Sequence, residues 1–367
     1  MLEVAGRIVA RQEDLRMTLM REEIFEQPAV LERCLHEGER IAEQICRRAH
    51  SFDPSFVLIA ARGSSDNAAT YARYLFEAYT GLPVSLAAPS LFTLYKRPPN
   101  LKKAWVIGIS QSGQSPDIVE VVREGRKQGA FTLALTNDVN SPLAKEAGEV
   151  LPLNAGLERS VAATKTYTTE LALMTLLAAE MADDNGLRVG LQRLPQAIEG
   201  ALGVEKKVEE LSRHKIYKEA AHSLVLGRGY NFPTALEIAL KLKEAAHIFA
   251  EPYSAADFLH GPFALAGQSL PAVLVGANGP AIPGLLELGN KLIAQGVEVI
   301  SIGDDSGLLK LTTPNGVALP LDLTGLPEAL SSLVCVVPGQ LLALHLALAR
   351  GLDPDHPRGL NKVTSTL

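Results

Sequence analysis

Residues 235–250 read ALEIALKLKEAAHIFA. At about 100° per residue, Glu237, Lys241 and Glu244 fall within a helical wedge of roughly 60°. Leu236, Ile238, Ala239, Leu242, Ala245, Ala246 and Phe249 occupy most of the remaining surface, and Lys243 and His247 mark a narrow second polar edge. On an exposed helix the wedge would be an i,i+4 ladder worth a few tenths of a kcal/mol. A helix this apolar is expected to be buried, so its charged wedge must face a cleft or pair internally. A carboxylate beside an ammonium in a partly closed cleft suits general acid–base chemistry.

A second candidate lies in Ser110-Gln111-Ser112-Gly113-Gln114-Ser115-Pro116-Asp117. Pro116 suits the first position of a helix, where a missing N–H costs nothing. The hydroxyls, amides and backbone N–H groups before it would converge on the positive end of the helix dipole, which makes a phosphate cradle without lysine. The alternative is a plain N-cap by Ser115. The nucleotide fingerprints do not fit: GxxxxGK[ST] is absent, and Arg62-Gly63-Ser64-Ser65-Asp66 lacks the later glycines of a dinucleotide loop. A small phosphorylated molecule is favoured over ATP or NAD.

His260, in Phe258-Leu259-His260-Gly261-Pro262, follows a short helical segment, and Lys362 lies near the chain end in Pro357-Arg358-Gly359-Leu360-Asn361-Lys362-Val363-Thr364. Taken alone, each reads as an ordinary structural or solvated residue. No HxH or HExxH spacing accompanies His260, so neither a metal site nor a cofactor is indicated.

The elements that position these loops alternate. Residues 15–50 read as two helices separated at Pro28, the second with a stripe of Val30, Cys34, Leu35, Ile41, Ala42 and Ile45. The apolar runs Phe56 to Ala61, Trp105 to Ser110, Phe131 to Thr136 and Val150 to Leu153 read as buried strands. Helices are predicted over about Asp66 to Tyr79, Pro116 to Gln128 and Thr166 to Met181. This order implies a parallel sheet covered on both faces. The second half repeats the first: Gly63 matches Gly229, Ile107 matches Val273 and Phe131 matches Val297, each 166 positions apart. The expectation is two homologous doubly wound α/β domains from an internal duplication, residues 51–200 and 201–350. An N-terminal helical segment (1–50), a helical connector near 187–215 and a C-terminal tail (351–367) complete the chain. Ligands of such sheets bind beyond the carboxyl ends of the strands, here the loops after Ala61, Ile109, Leu153 and Leu226.

Composition narrows the function further. The chain has 367 residues, 47% hydrophobic and 21% charged, with a net charge of -6. That is an ordinary globular composition, without the basic face that nucleic acid requires. Aromatic residues are only 5%, so stacking platforms for bases are not expected. Cys34, Cys46 and Cys335 form no CxxC pair, which indicates neither a disulfide framework nor a zinc ribbon. The N-terminal MLEVAGRIVARQEDLRM lacks an apolar signal core, and Pro338, Gly339, Gln340 and His345 interrupt the apolar stretch Ala329 to Ala349. A buried core helix, no membrane partner and a cytoplasmic location are expected.

Arg62-Gly63-Ser64-Ser65, Ser110-Gln111-Ser112-Gly113, Val161-Ala162-Ala163-Thr164-Lys165 and Leu240-Lys241-Leu242-Lys243-Glu244 together resemble the sugar isomerase (SIS) domain family. The likeness is nearest to the isomerase half of glucosamine-6-phosphate synthase, and Ile24-Phe25-Glu26-Gln27-Pro28 matches in kind. The resemblance implies that Ser65, Ser110, Gln111, Ser112 and Ser115, with Gly63 in the same loop, bind the sugar phosphate. It implies that Glu244 moves a proton between C1 and C2, with Glu237 and Lys241 lining the same site. His260 would assist ring opening from the neighbouring subunit of a homodimer. Val161 would lie in the loop closing over the sugar, and Lys362 would contact the open-chain sugar or form an imine with it.

The Arg62–Asp66 and Ser112–Asp117 loops look more like stand-alone SIS deaminases, and a glutaminase domain is not evident in the sequence. A glucosamine-6-phosphate deaminase that yields fructose 6-phosphate and ammonia is therefore expected. A deglycase of sugar-amine phosphates and an ammonia-dependent synthase are its rivals. A non-catalytic phosphosugar sensor ranks lower, because the first 50 residues carry no basic recognition helix.

Overall fold

The structure is a computed structural model that describes residues 18–267, 270–311 and 313–362. Parts of the 1–50 segment, including the expected helix start at residue 15, and of the 351–367 tail lie outside the described residues. The described residues begin with two helices, α1 (Leu19–Phe25) and α2 (Gln27–Phe52), with Pro28 in the first turn of α2. The first domain then runs β1 (Phe56–Ala60), α3 (Ser64–Thr80), β2 (Val84–Leu86), α4 (Pro89–Thr93), β3 (Ala104–Ile109), α5 (Pro116–Lys127), β4 (Phe131–Thr136), α6 (Pro142–Glu146), β5 (Glu149–Pro152) and α7 (Lys165–Ala182). Three connecting helices follow: α8 (Asn185–Leu202), α9 (Glu205–Ser212) and α10 (Lys215–Lys218). The second domain has β6 (His222–Gly227), α11 (Phe232–Ala246), β7 (Phe249–Ser254), α12 (Ala255–Leu259), β8 (Ala272–Gly276), α13 (Ile282–Ala294), β9 (Val299–Gly303), β10 (Val317–Pro320) and α14 (Ser331–Ala349).

Both sheets are parallel and share one topology, β2-β1-β3-β4-β5 and β7-β6-β8-β9-β10. Strands such as AWVIGI in β3 are buried along their length, as expected where helices cover both faces. The internal duplication is visible in the register. Ile59 pairs with Ile107 and Leu86 in the first sheet; Val225 pairs with Val273 and Pro252 in the second. All three pairs of equivalents are 166 positions apart.

The fourth strand corrects the expected alignment. Ile107 pairs with Leu133, but Val273 pairs with Ile300, so the offset there is 167. Phe131 therefore corresponds to Glu298 rather than Val297, which lies ahead of β9. The cause is helix length: α5 has 12 residues and α13 has 13, and the extra residue displaces everything after it.

The apolar stretch near the C-terminus is a core helix. The segment Glu328–Ala349 is long and apolar enough to cross a membrane, but 89% of its most apolar window is buried inside the fold. α14 packs against α11, and α11 also packs against α3 of the first domain. Leu171, Ile238 and Leu333 belong to one continuous apolar core that joins the two domains. That packing is what carries the polar wedge of α11 to the first domain's binding face.

Candidate active site

In the first sheet the strand order switches direction between β1 and β3, and ligands of such sheets settle in the crevice at that point. The loops there are Arg62–Ser65 and Ser110–Ser115. Gly63 sits at φ +58° as it turns the chain into α3. Gly113 sits at φ +62°, and a Cβ there would come 2.2 Å from the Ser141 hydroxyl. Only glycine fits so tight a return. The Ser110 hydroxyl accepts from the Gly113 N–H at 3.1 Å, and the Ser112 hydroxyl accepts from the Gln114 N–H at 3.3 Å. Both hydroxyls keep their own protons to donate. Ser115 precedes α5 but makes no capping hydrogen bond with its side chain. The simple N-cap reading of this loop is therefore not what the structure contains, and three hydroxyls remain available to an anion at the N-terminus of α5.

These loops line a cavity of about 350 Å³ together with Glu158, Val161, Ala163, Glu244, Leu360, Asn361 and Lys362. Arg62 borders it as well, and its guanidinium is fixed 2.7 Å from the buried Asp117 carboxylate. Glu244 opens onto the cavity with its side chain 22% exposed. Glu237 and Lys241, by contrast, are fully buried and do not line it. The expected three-residue wall is thus one residue with two behind it. Lys241 Nζ donates to Glu244 and to the Ser64 hydroxyl, and lies 3.4 Å from Glu237. Glu237 in turn accepts from Ser64 at 2.9 Å and Asn67 at 2.8 Å. Burial opposes charge on Lys241, but the Glu237 and Glu244 carboxylates outweigh it and push its pKa above the usual lysine value. The pair beneath the cavity fixes the Glu244 carboxylate and ties α11 to α3.

Glu158 was not singled out in the sequence, where Leu157-Glu158-Arg159 resembles a solvated loop. It is fully buried and accepts from Lys362 at 2.8 Å, from the Thr166 hydroxyl at 2.6 Å and from the Thr164 N–H at 3.0 Å. Burial alone would raise its pKa, but the Lys362 ammonium and these donors hold it below the ordinary carboxylate value. Lys362 is thereby seated in the cavity wall. The Val161 loop is held by the chain's two ends: Val161 N–H donates to the Asp355 carbonyl, and Ser160 donates to Glu23 of α1. The Asp355 carboxylate caps α1 by accepting from Leu19 and Met20 N–H.

His260 is exposed just after α12 and is not part of the cavity lining in its own chain. The loop after Leu226 contributes nothing either. At the equivalent crevice of the second domain, Tyr230, Asn231, Gly276, Asn278 and Ala281 stand where the first has Ser64, Ser65, Ser110, Ser112 and Ser115. The Asn231 amide is spent on Ser331. The second crevice thus lacks the serine hydroxyls that line the first.

Two tandem doubly wound domains, with a hydroxyl-lined crevice in one and a helix of the other bringing the Glu237–Lys241–Glu244 wedge to it, define a sugar-isomerase-type α/β protein. The chain belongs to the SIS domain family, which matches residues 53–180 and 215–349. It is 36% identical over 360 residues to glutamine–fructose-6-phosphate aminotransferase (isomerizing) of Gloeobacter violaceus, covering 94% of this chain and 58% of that one. The chain spans a little over half the length of the curated relatives it matches, 57% to 58%. The C-terminal domain of glucosamine-fructose-6-phosphate aminotransferase from Francisella tularensis superposes with a TM-score of 0.83 at 27% identity, covering 93% of this chain and 98% of that one. Glucosamine-6-phosphate deaminase of Thermotoga maritima shares the fold, with a TM-score of 0.77 at 23% identity over 95% of this chain and all of that one.

Proposed function

We propose that this chain interconverts a phosphorylated amino-aldose and a ketose: glucosamine 6-phosphate and water give fructose 6-phosphate and ammonia. The observation that carries this reading is that Glu244 opens onto the same cavity as the hydroxyls of Ser65, Ser110, Ser112 and Ser115. Phosphate held by those hydroxyls leaves the far carbons of an open-chain sugar for the carboxylate. Glu244 takes the proton from C2 of the aldehyde, giving a C1–C2 enolamine, and returns it to C1, giving a ketose imine. Water adds to the imine carbon and ammonia leaves. Lys362, in the cavity wall, supplies positive charge for the oxygen that becomes negative while the proton is in transit. The fully buried Lys241 and Glu237 orient Glu244 and do not touch the sugar.

Family membership supports phosphosugar isomerisation. The glutamine–fructose-6-phosphate aminotransferases that share 33–36% identity with this chain favour a second reading, in which the same proton transfer runs from fructose 6-phosphate toward the amino sugar. The residues of the sugar site serve either direction. The deciding experiment supplies glucosamine 6-phosphate, or fructose 6-phosphate with ammonium or glutamine, and quantifies ammonia and both sugar phosphates. Ammonia release from glucosamine 6-phosphate is expected. Glutamine-driven synthesis by the chain alone would overturn the deaminase reading. Inertness toward both, with activity on another sugar-amine phosphate, would move it to a deglycase.

The chain works as a homodimer with shared sites. His260 is exposed away from its own cavity, beside the exposed Leu259 and Leu265. A neighbouring copy that covers these side chains would bring His260 to the sugar ring of its partner.

A further inference from the structure

Glu170 lies in the second turn of α7, beneath the Ser65 loop, and the chemistry above does not use it. Its Oε1 is 2.8 Å from the Ser65 hydroxyl, a buried contact. Its Oε2 has no hydrogen-bond partner among the described residues. No described lysine, arginine or histidine lies within ion-pair distance of it. The ionisable groups that bear on it are Tyr167 on its own helix, Glu237 from α11, Glu158 from the preceding loop and Lys362 from the tail. Tyr71 from α3 bears on it through Tyr167, and Lys241 and Glu244 stand behind Glu237. Two of its nearest charged neighbours are therefore carboxylates.

The contact with Ser65 has two proton arrangements. When Glu170 is ionised it can only accept, so Ser65 turns its hydroxyl proton downward and presents lone pairs to the cavity. Those lone pairs repel a phosphate oxygen. When Glu170 is neutral, its own O–H donates to Ser65 Oγ, and the Ser65 proton is free to point at the ligand. We propose that Glu170 is a positioning residue for the phosphate site: its neutral carboxyl orients the Ser65 hydroxyl toward the phosphate, and its ionisation reverses that hydroxyl. This rests on the phosphosugar reading of the cavity. Burial, reinforced by the Glu158 and Glu237 charges, pushes the Glu170 carboxyl up to about 8, against the lowering effect of Ser65. The group is thus neutral below that pH and ionised above it, which puts the reversal within reach of an ordinary titration. A phosphate monoester has its second pKa near about 6, so the ligand's own charge is constant over the same range.

The test measures fructose 6-phosphate binding by calorimetry from pH 7 to 9.5, with fructose as the unphosphorylated control. The wild type should hold its affinity to about pH 8 and then lose about tenfold by pH 9, as the competent fraction falls. At pH 8.5, runs in two buffers of different ionisation enthalpy should reveal net proton uptake on binding. Glu170→Gln keeps a donor for Ser65 at every pH; it should bind within about threefold of wild type at pH 7 and show no loss at pH 9. Ser65→Ala should bind weakly at pH 7 with a flat profile. A flat wild-type profile without proton uptake, or the same decline in Glu170→Gln, would overturn this inference alone. A wild type that binds fructose 6-phosphate at no pH would overturn the phosphosugar reading and this inference with it.

Discussion

The Lys362 ammonium donates a 2.8 Å hydrogen bond to the fully buried carboxylate of Glu158, 204 positions earlier in the chain. A flexible tail would give a lysine no fixed position. This one has an anchor that cannot move, because Glu158 is also bound by Thr164 and Thr166 at the start of α7. The loop over the cavity and the tail are therefore one assembly, joined by this ion pair and by the Val161 N–H to Asp355 carbonyl hydrogen bond.

Replacing Lys362 with alanine leaves a buried carboxylate without its cation. Partners lost from buried pairs cost about 3–5 kcal/mol, and the remaining threonine donors place this case at the lower end. Urea unfolding at pH 7 should register the loss. The Glu158 pKa is depressed from 4.5. Its contribution is present above that value and disappears as pH falls through the depressed one. The stability gap between wild type and Lys362→Ala should accordingly narrow below about pH 4.5. A gap that does not change with pH would mean that the pair contributes nothing through charge.

Glu244→Gln keeps a hydrogen-bonding partner for Lys241 but removes the base. Proton exchange at C1 of fructose 6-phosphate should fall by about 10²-fold or more while the phosphosugar still binds. Lys241→Met should behave differently, since it strands two carboxylates and lowers stability by roughly 3–5 kcal/mol as well as turnover. Near wild-type exchange in Glu244→Gln would remove it from the role of base.

The site was legible where chemistry and periodicity coincide. The wedge on α11 stands out because charges interrupt an apolar helix, and the serine loops stand out because they join a buried strand to a helix. The depth of each residue was not legible. Helical angle places Glu237, Lys241 and Glu244 on one face, but only the packing of α11 on α3 decides that Glu244 reaches the cavity. Glu158 gave no signal, since one glutamate in an irregular loop reads as solvated. Glu170 did leave a trace, one of two acids in the largely apolar α7, the other being Glu180, which pairs with Arg188. The register slip at β9 came from one extra residue inside α13, where a helix absorbs an insertion without disturbing its hydrophobic stripe enough to be seen.

Ser112 lies at the cavity with a hydroxyl that accepts from its own loop and is free to donate outward. If that donation is equally strong in ground and transition states, Ser112→Ala should raise KM severalfold and leave kcat within about twofold. Steady-state kinetics with the phosphorylated sugar would separate the two constants. A fall in kcat with unchanged KM would place Ser112 at the reacting carbons instead of the phosphate.

The dimer proposal makes the sharpest demand on the fold. In its own chain His260 is exposed and outside the cavity, whereas Glu244 lines it. If ring opening needs both, a subunit with Glu244→Gln can still lend its histidine, and a subunit with His260→Ala can still offer its base. Each homodimer should be nearly inactive on the closed sugar. A hybrid of the two contains one intact site, so mixing them under subunit exchange should recover up to about a quarter of wild-type activity: half of the dimers are hybrid, and half of their sites are complete. Exchange can be followed independently by mass spectrometry of differently tagged subunits. No recovery after demonstrated exchange would place His260 outside the reaction, and a monomer at assay concentration that retains full activity would remove the partner altogether.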